Sequence, residues 1–181
     1  MRKSLGVIAV FLAVSPLAQA ANNFYVGANL VRIEDNGAEA PAIYSRATSL
    51  KGGIELSPNF AVEARYAKGH RSGHNHVNGL QVDLELDYAY GVYAKGIMPL
   101  GVASPYLLVG YSRGKETATV KAFNFTQSAS GKSASYGIGV DVPITKAISF
   151  NAEWALLIKG DDFRGVGYKI EGLSAGVAMR F

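Results

Sequence analysis

The sequence predicts an all-β fold, an eight-stranded antiparallel up-and-down β-barrel that crosses a membrane, and three observations predict it. The first is the stretch from Gly79 to Met98 (GLQVDLELDYAYGVYAKGIM), where apolar residues alternate with polar or small ones. Leu80, Val82, Leu84, Leu86, Tyr88, Tyr90, Val92 and Ala94 fall on one face, and Gln81, Asp83, Glu85, Asp87, Tyr93 and Lys95 on the other. A period of two is that of a pleated strand, and a helix would mix Asp83 and Asp87 with Leu80 and Leu84. The run exceeds the usual strand of about 5–6 residues and suits a wall that spans a bilayer in about 9–11 and projects beyond it. The second observation is that short Pro-bearing connections alternate along the chain with long polar ones. The third is that the chain ends on Phe181, at the tip of an alternating run Leu173, Ala175, Val177, Met179.

Taken in order, the chain opens with MRKSLGVIAVFLAVSPLAQA: Arg2 and Lys3, an apolar run from Leu5 to Val14, then Ala18-Gln19-Ala20. A positive start, a short apolar core and an A-x-A site read as a secretory signal over residues 1–20, leaving 21–181 as the mature barrel domain. The apolar run is too short for a transmembrane anchor, and Ser15-Pro16 breaks it. Removing Arg2 and Lys3 takes the formal charge from +4 to +2, so charge gives nucleic-acid binding little support. With no cysteine, a disulfide scaffold, a thiol nucleophile and a thiolate metal site are excluded.

Eight strands follow: Phe24–Ile33, Tyr44–Leu56, Phe60–Ala67, the Gly79–Met98 stretch, Tyr106–Arg113, Ser133–Val142, Ala147–Ile158 and Lys169–Phe181. Each alternates, except that apolar residues fill both faces of Tyr106–Arg113 and leave its inward register open. Ser57-Pro58-Asn59, Pro99–Pro105 and Pro143–Lys146 are turns. The segments Glu34–Ile43, Lys68–Asn78, Gly114–Lys132 and Gly160–Tyr168 are the longer connections. Short turns at one end and long loops at the other are the layout of an outer-membrane barrel with extracellular long loops and periplasmic termini.

Periodicity alone does not say which face is inside. A soluble barrel would bury Leu84 and Trp154, whereas a membrane barrel inverts this. The membrane reading is favoured by the terminal Phe181, by aromatic residues near strand ends (Phe60, Phe150 and Phe181 at one end, Tyr44 and Tyr66 nearer the other), and by a polar face rich in Gly, Ser and Ala that suits a narrow lumen.

Tyr25-Val26-Gly27, the run Glu63 to Tyr66, Pro105-Tyr106 with Gly110, Gly137-Ile138-Gly139 and Arg180-Phe181 together resemble the small eight-stranded outer-membrane barrel superfamily, which includes the OmpA membrane domain, OmpX, Ail and the Opa-type proteins. The resemblance spans the mature chain and implies a fold and an address in the Gram-negative outer membrane. It also implies that Phe181, with Met179 and Val177 behind it, is read by the barrel-assembly machinery; Met179 stands where the family often has Tyr. No chain remains after the barrel for a peptidoglycan-binding domain.

Four groups of residues are candidates for function. His70, His74 and His76 could share a metal, but they sit in a Gly-rich stretch without a neighbouring carboxylate, so no metal or other cofactor is expected. Ser72 lies among them without a framed base, and no G-x-S-x-G elbow occurs, so an enzyme is not expected. Lys51, Glu55, Glu63, Arg65, Asp83, Glu85, Asp87, Lys95, Asp141, Glu153 and Arg180 form an inward charge set, with Glu55 or Lys51 expected beside Arg65 or Glu63. Such charges either plug the lumen as ion pairs or gate a narrow pore for ions or small solutes. Phe123 and Phe125 either mark a loop tip that meets a partner or continue two strands as a hairpin. The expected role is structural or interactive: a monomer contacting outer-membrane lipids, lipopolysaccharide and an extracellular ligand through its loops.

Overall fold

The computed structural model describes residues 23–37, 43–71, 73–77, 80–120, 125–161 and 167–181. The chain runs as β1 (Phe24–Gly37), β2 (Ile43–Ser57), β3 in two segments (Phe60–Arg71 and Gly73–Val77), β4 (Leu80–Ile97), β5 (Ser104–Val120), β6 (Phe125–Pro143), β7 (Ile148–Asp161) and β8 (Gly167–Arg180). Every strand pairs antiparallel with its sequence neighbour, both segments of β3 pairing with β4. β1 also pairs with β8, from Tyr25 opposite Arg180 to Gly37 opposite Tyr168. That last seam closes the sheet into an eight-stranded barrel with no free edge, the only way a sheet satisfies its backbone in lipid.

Three tight turns join the strands at the end where the chain termini meet. The Ser57 hydroxyl accepts the Asn59 N–H (3.3 Å), and the Thr145 hydroxyl accepts the Ile148 N–H (2.9 Å). Gly101 takes a φ of 85°, which a side chain would disfavour, in the turn between β4 and β5.

The alternation has the inverted sense. Along β1, Tyr25, Asn29, Val31 and Ile33 are buried, whereas Leu30 is exposed. Leu50, Ile54, Phe60, Val62, Val92, Leu107, Val109, Ile138, Phe150, Leu173 and Val177 also face outward as an exposed apolar band. Tyr66, Tyr90, Tyr111 and Tyr136 stand along its edge away from the turns. β5 resolves the open register: Tyr106, Leu108 and Ser112 point in, and Leu107, Val109 and Tyr111 point out.

Two expectations change. β5 and β6 continue past Arg113 and Ser133 as a paired hairpin up to Val120 opposite Phe125, so most of the expected Gly114–Lys132 loop is strand. β3 likewise continues through most of Lys68–Asn78. Above the membrane both faces of a hairpin meet water, so the apolar alternation that reveals a strand fades while the hydrogen-bond ladder persists.

The second change is parity. Single extra residues sit in β3 at His70, in β4 at Asp87 and in β7 at Leu157, each producing a register shift against one neighbouring strand. Such a bulge reverses which residues face inward beyond it. In β4, Tyr93 and Lys95 are buried below the bulge, but Leu86 is the buried residue above it and Glu85 is exposed.

Candidate functional site

The lumen is the polar interior of this wall, and its centre is an ion-paired crossbar. Glu63 and Arg65 are two apart on β3 and therefore project inward together. Arg65 Nε donates to Glu63, and its Nη groups reach the opposite wall and bind Glu153 of β7, with Nη2 to Oε2 at 2.8 Å. A two-nitrogen fork on a carboxylate is the geometry in which an arginine is most strongly and specifically held. The Tyr25 hydroxyl donates to Glu63 (2.6 Å) and the Tyr106 hydroxyl to Glu153 (2.8 Å). Glu63, Glu153 and both tyrosines are buried.

Beside the crossbar, Lys95 of β4 donates to Asp141 of β6 (2.7 Å), its ammonium lying 3.9 Å from the centre of the Tyr106 ring. Lys51 faces Arg65 directly across β2 and β3, and its buried ammonium has no hydrogen-bond partner. Among these buried groups three cations (Lys51, Arg65, Lys95) stand against three carboxylates (Glu63, Asp141, Glu153), so the set is neutral as a whole. That balance is what permits so many charges in a narrow space. Nearer the turns, Arg180 pairs with Glu55 at 2.7 Å, both partly exposed.

Three tyrosines missed by sequence reasoning complete the layer: Tyr25, Tyr93 and Tyr106. Each lies directly opposite a glycine on the next strand, respectively Gly53, Gly110 and Gly139. A Cβ on Gly53 or Gly139 would fall within the space of the facing ring, so the glycine provides the bed across which the aromatic lies and extends into the lumen. The available signal was parity: Tyr25 shares the face of Asn29, and Tyr93 that of Lys95.

Above the crossbar Asn29 donates to Asn151 (2.6 Å) and Ser174 (3.1 Å), and Ser112 bonds Ser135. Higher still the lumen turns apolar, with Val31, Ile33, Ala47, Leu86, Ala89 and Ile170 in one buried cluster. Between these layers remains a cavity of about 40 Å³, lined in part by Asn29, Lys51, Arg65 and Glu153. A second, of about 10 Å³, lies beside Lys95 and Arg180. The first has room for a few waters and the second for one at most.

Of the expected inward charges, Lys51, Glu63, Arg65, Lys95, Asp141 and Glu153 come together, and Glu55 with Arg180 flanks them. Glu55 does not pair with Arg65 or Glu63. Asp83, Glu85 and Asp87 are corrected: the bulge at Asp87 turns them away from the lumen. Glu85 is exposed, and Asp87 binds the Thr117 hydroxyl (2.8 Å) and Lys115 (3.5 Å), both outside the buried set. His70 is exposed near Thr48, and the side chains of His74 and His76 lie outside the described residues, as does Phe123. Phe125 begins β6, its side chain likewise undescribed. Val177 and Met179 sit on the outward parity of β8, and the Phe181 N–H donates to the Phe24 carbonyl (3.0 Å).

The family model described as outer membrane protein beta-barrel domain matches residues 5–181. The chain belongs to this family. Its place is therefore the outer membrane of a Gram-negative cell. Among solved structures, Neisserial surface protein A is 17% identical, with a TM-score of 0.63 over 87% of this chain and 97% of that one. Ail of Yersinia pestis, in complex with the heparin analogue sucrose octasulfate, is 18% identical, with a TM-score of 0.58 over 87% and 99%. The N-terminal barrel domain of Pseudomonas aeruginosa OprF is 15% identical, with a TM-score of 0.54 over 86% and 97%. At these identities the likeness is one of fold. A comparison with curated protein sequences finds no match.

Proposed function

We propose that the protein, exported with loss of residues 1–20, is a closed, non-enzymatic barrel whose work is structural and interactive. Its lumen is a plug, and its extracellular end is the working surface, where the loops meet envelope or environmental partners. The observation that carries this reading is the Arg65 crossbar to Glu153, roofed by the Val31–Ile33–Leu86–Ile170 cluster. An ion crossing that lumen would have to part a bidentate ion pair and then pass an apolar layer, and both oppose conduction. The lumenal carboxylates hold arginine, lysine or tyrosine partners, leaving little to act as a general base. Val177, Met179 and Phe181, at the closing seam, serve as the assembly signal.

A second reading rests on Lys51. Its unpartnered ammonium shares the lumen with Glu63 and Glu153, so it is a ready substitute if Arg65 swings away, and the barrel would then be a gated pore. Single-channel recording of the refolded mature protein in a planar bilayer separates the two, with heat-modifiable gel mobility reporting folding. The expected record is silence from folded wild-type protein. Discrete openings whose conductance changes in Arg65→Lys or Lys51→Met would replace the plug with the pore.

A further inference from the structure

The strands are not equally tied at every seam of the wall. β1 and β8 pair from Tyr25 opposite Arg180 up to Gly37 opposite Tyr168, and β5 and β6 from Ser104 opposite Asp141 up to Val120 opposite Phe125. Between β6 and β7 the ladder runs only from Pro143 opposite Ser149 up to Tyr136 opposite Leu156. Among the described residues, counting both segments of β3, this is the shortest seam of the barrel. Above it each strand pairs only with its other neighbour: Phe125–Ser135 with β5, and Ile158–Asp161 with β8. Tyr136 stands at the extracellular edge of the apolar band, so the seam ends where the membrane does. A ladder with an open end frays from that end, because its last pairs are supported on one side only.

Side chains lend the upper part of this seam little packing. The inward positions of β6 there are Gly137 and Gly139, facing Ala155 and Glu153. On the outer face a groove of about 700 Å³ runs beside it, lined in part by Leu107, Ile138, Val140, Ala152 and Trp154. Other polar ties of the two strands lead away from the seam: Asp141 of β6 to Lys95 on β4, and Asn151 of β7 to Asn29 on β1. Two contacts span it. Outside, the rings of Tyr136 and Trp154 lie 6.3 Å apart between centres, tilted by 60°. Inside, Tyr106 of β5 lies across Gly139, and its hydroxyl donates to Glu153 of β7 (2.8 Å), strapping β6 from the lumen side. A parting deep enough to bare Ala155 reaches Gly139 and must release that bond.

We infer that β6 and β7 part sideways from the extracellular edge downward, forming a lateral gate that Tyr106 latches on Glu153. The gate opens onto Ala155, which lines the cavity of about 40 Å³ above the crossbar, as does Ala47, three strands away on β2. Outside water then reaches that cavity through the wall, although the Val31–Ile33–Leu86–Ile170 cluster closes the top. Glu153 stays on β7 with its bidentate arginine, and the β5–β6 hairpin bends outward. The crossbar therefore need not break for its cavity to become wet. The inference concerns the wall and rests neither on a loop partner nor on a silent lumen.

The chain has no cysteine, so single cysteines report the gate without background. Ala155→Cys and Ala47→Cys place one thiol at each side of the same cavity, and both alanines are buried. The refolded mature protein in neutral-detergent micelles is treated with a small water-soluble thiol reagent and labelling is followed by mass, with heat-modifiable mobility reporting folding. Ala155→Cys is expected to label several-fold faster than Ala47→Cys. Adding Tyr106→Phe keeps the ring on its glycine and removes only the hydroxyl. It should speed labelling of Ala155→Cys by about tenfold, the effect of one lost hydrogen bond to a buried charge, and leave Ala47→Cys unchanged. Equal rates at the two positions would mean that solvent enters from above, and would overturn the gate. An acceleration shared by both positions would report a loosened barrel and overturn it too, and no acceleration at Ala155→Cys would overturn the latch. The comparison of the two reporters needs no latch variant, so it decides the gate even where Tyr106→Phe fails to refold.

Discussion

The lower and upper halves of the lumen are filled on different principles. Below, Tyr25, Glu63, Arg65, Lys95, Asp141 and Glu153 are held by directional bonds to partners two to four strands away. Above, Val31, Ile33, Ala47, Leu86 and Ile170 simply pack. The directional half sets register, because Arg65 meets Glu153 only if all the intervening strands are correctly staggered. The apolar half tolerates small errors and contributes by excluding water. A barrel with either half alone would be less well defined or less well sealed.

The largest expected effect breaks the directional half. Arg65→Ala leaves Glu63 and Glu153 buried without their guanidinium, each keeping only a tyrosine hydroxyl as hydrogen-bond donor, and should lower unfolding free energy by about 3–5 kcal/mol in urea titration of the refolded barrel. Arg65→Met with Glu153→Leu should recover most of that loss, since Glu63 then balances Lys51; no recovery would mean that the crossbar acts through shape rather than charge. In the apolar half, Ile33→Ala should cost about 2–5 kcal/mol with no charge partner able to rescue it. Gly139→Val tests the tyrosine bed: displacing Tyr106 should cost about 1–3 kcal/mol in the same titration, and less in the Tyr106→Leu background, where only the Ala152 carbonyl still crowds the new side chain. The smallest change belongs to the mouth, where Glu55→Gln loosens a partly exposed pair with Arg180 and should shift stability by less than about 1 kcal/mol.

The strand count, the tight turns and the inverted face were legible because period-two alternation is a local signal and the inward parity is marked by Asn29, Glu63, Glu153 and Ser174. Where the barrel leaves the membrane that contrast is lost, which is why the sequence left a hairpin and a loop tip as equal readings of the stretch around Phe125, whose pairing with Val120 the structure supplies. The bulge at Asp87 was invisible for a different reason. One extra residue has no composition of its own, yet it moves Glu85 outward and Leu86 inward. The partner of Arg65 was beyond reach because it depends on the accumulated stagger of four seams rather than on the short turn at Pro58. Tyr25 and Tyr106 were on the page as letters, but their role appears only when the facing glycines are known.

The closing seam has one more consequence. Because Tyr25 lies opposite Arg180 and the Phe181 amide bonds Phe24, the two ends of the barrel chain are already neighbours. The order in which the ribosome delivers the strands is thus separable from the architecture they form. A short peptide joining Phe181 to Asn23, with a cut opened in the turn between Pro143 and Ile148, would encode the same ring by circular permutation. Only the strand presented last would differ, making the permuted chain a way to separate what the membrane requires from what the export pathway reads.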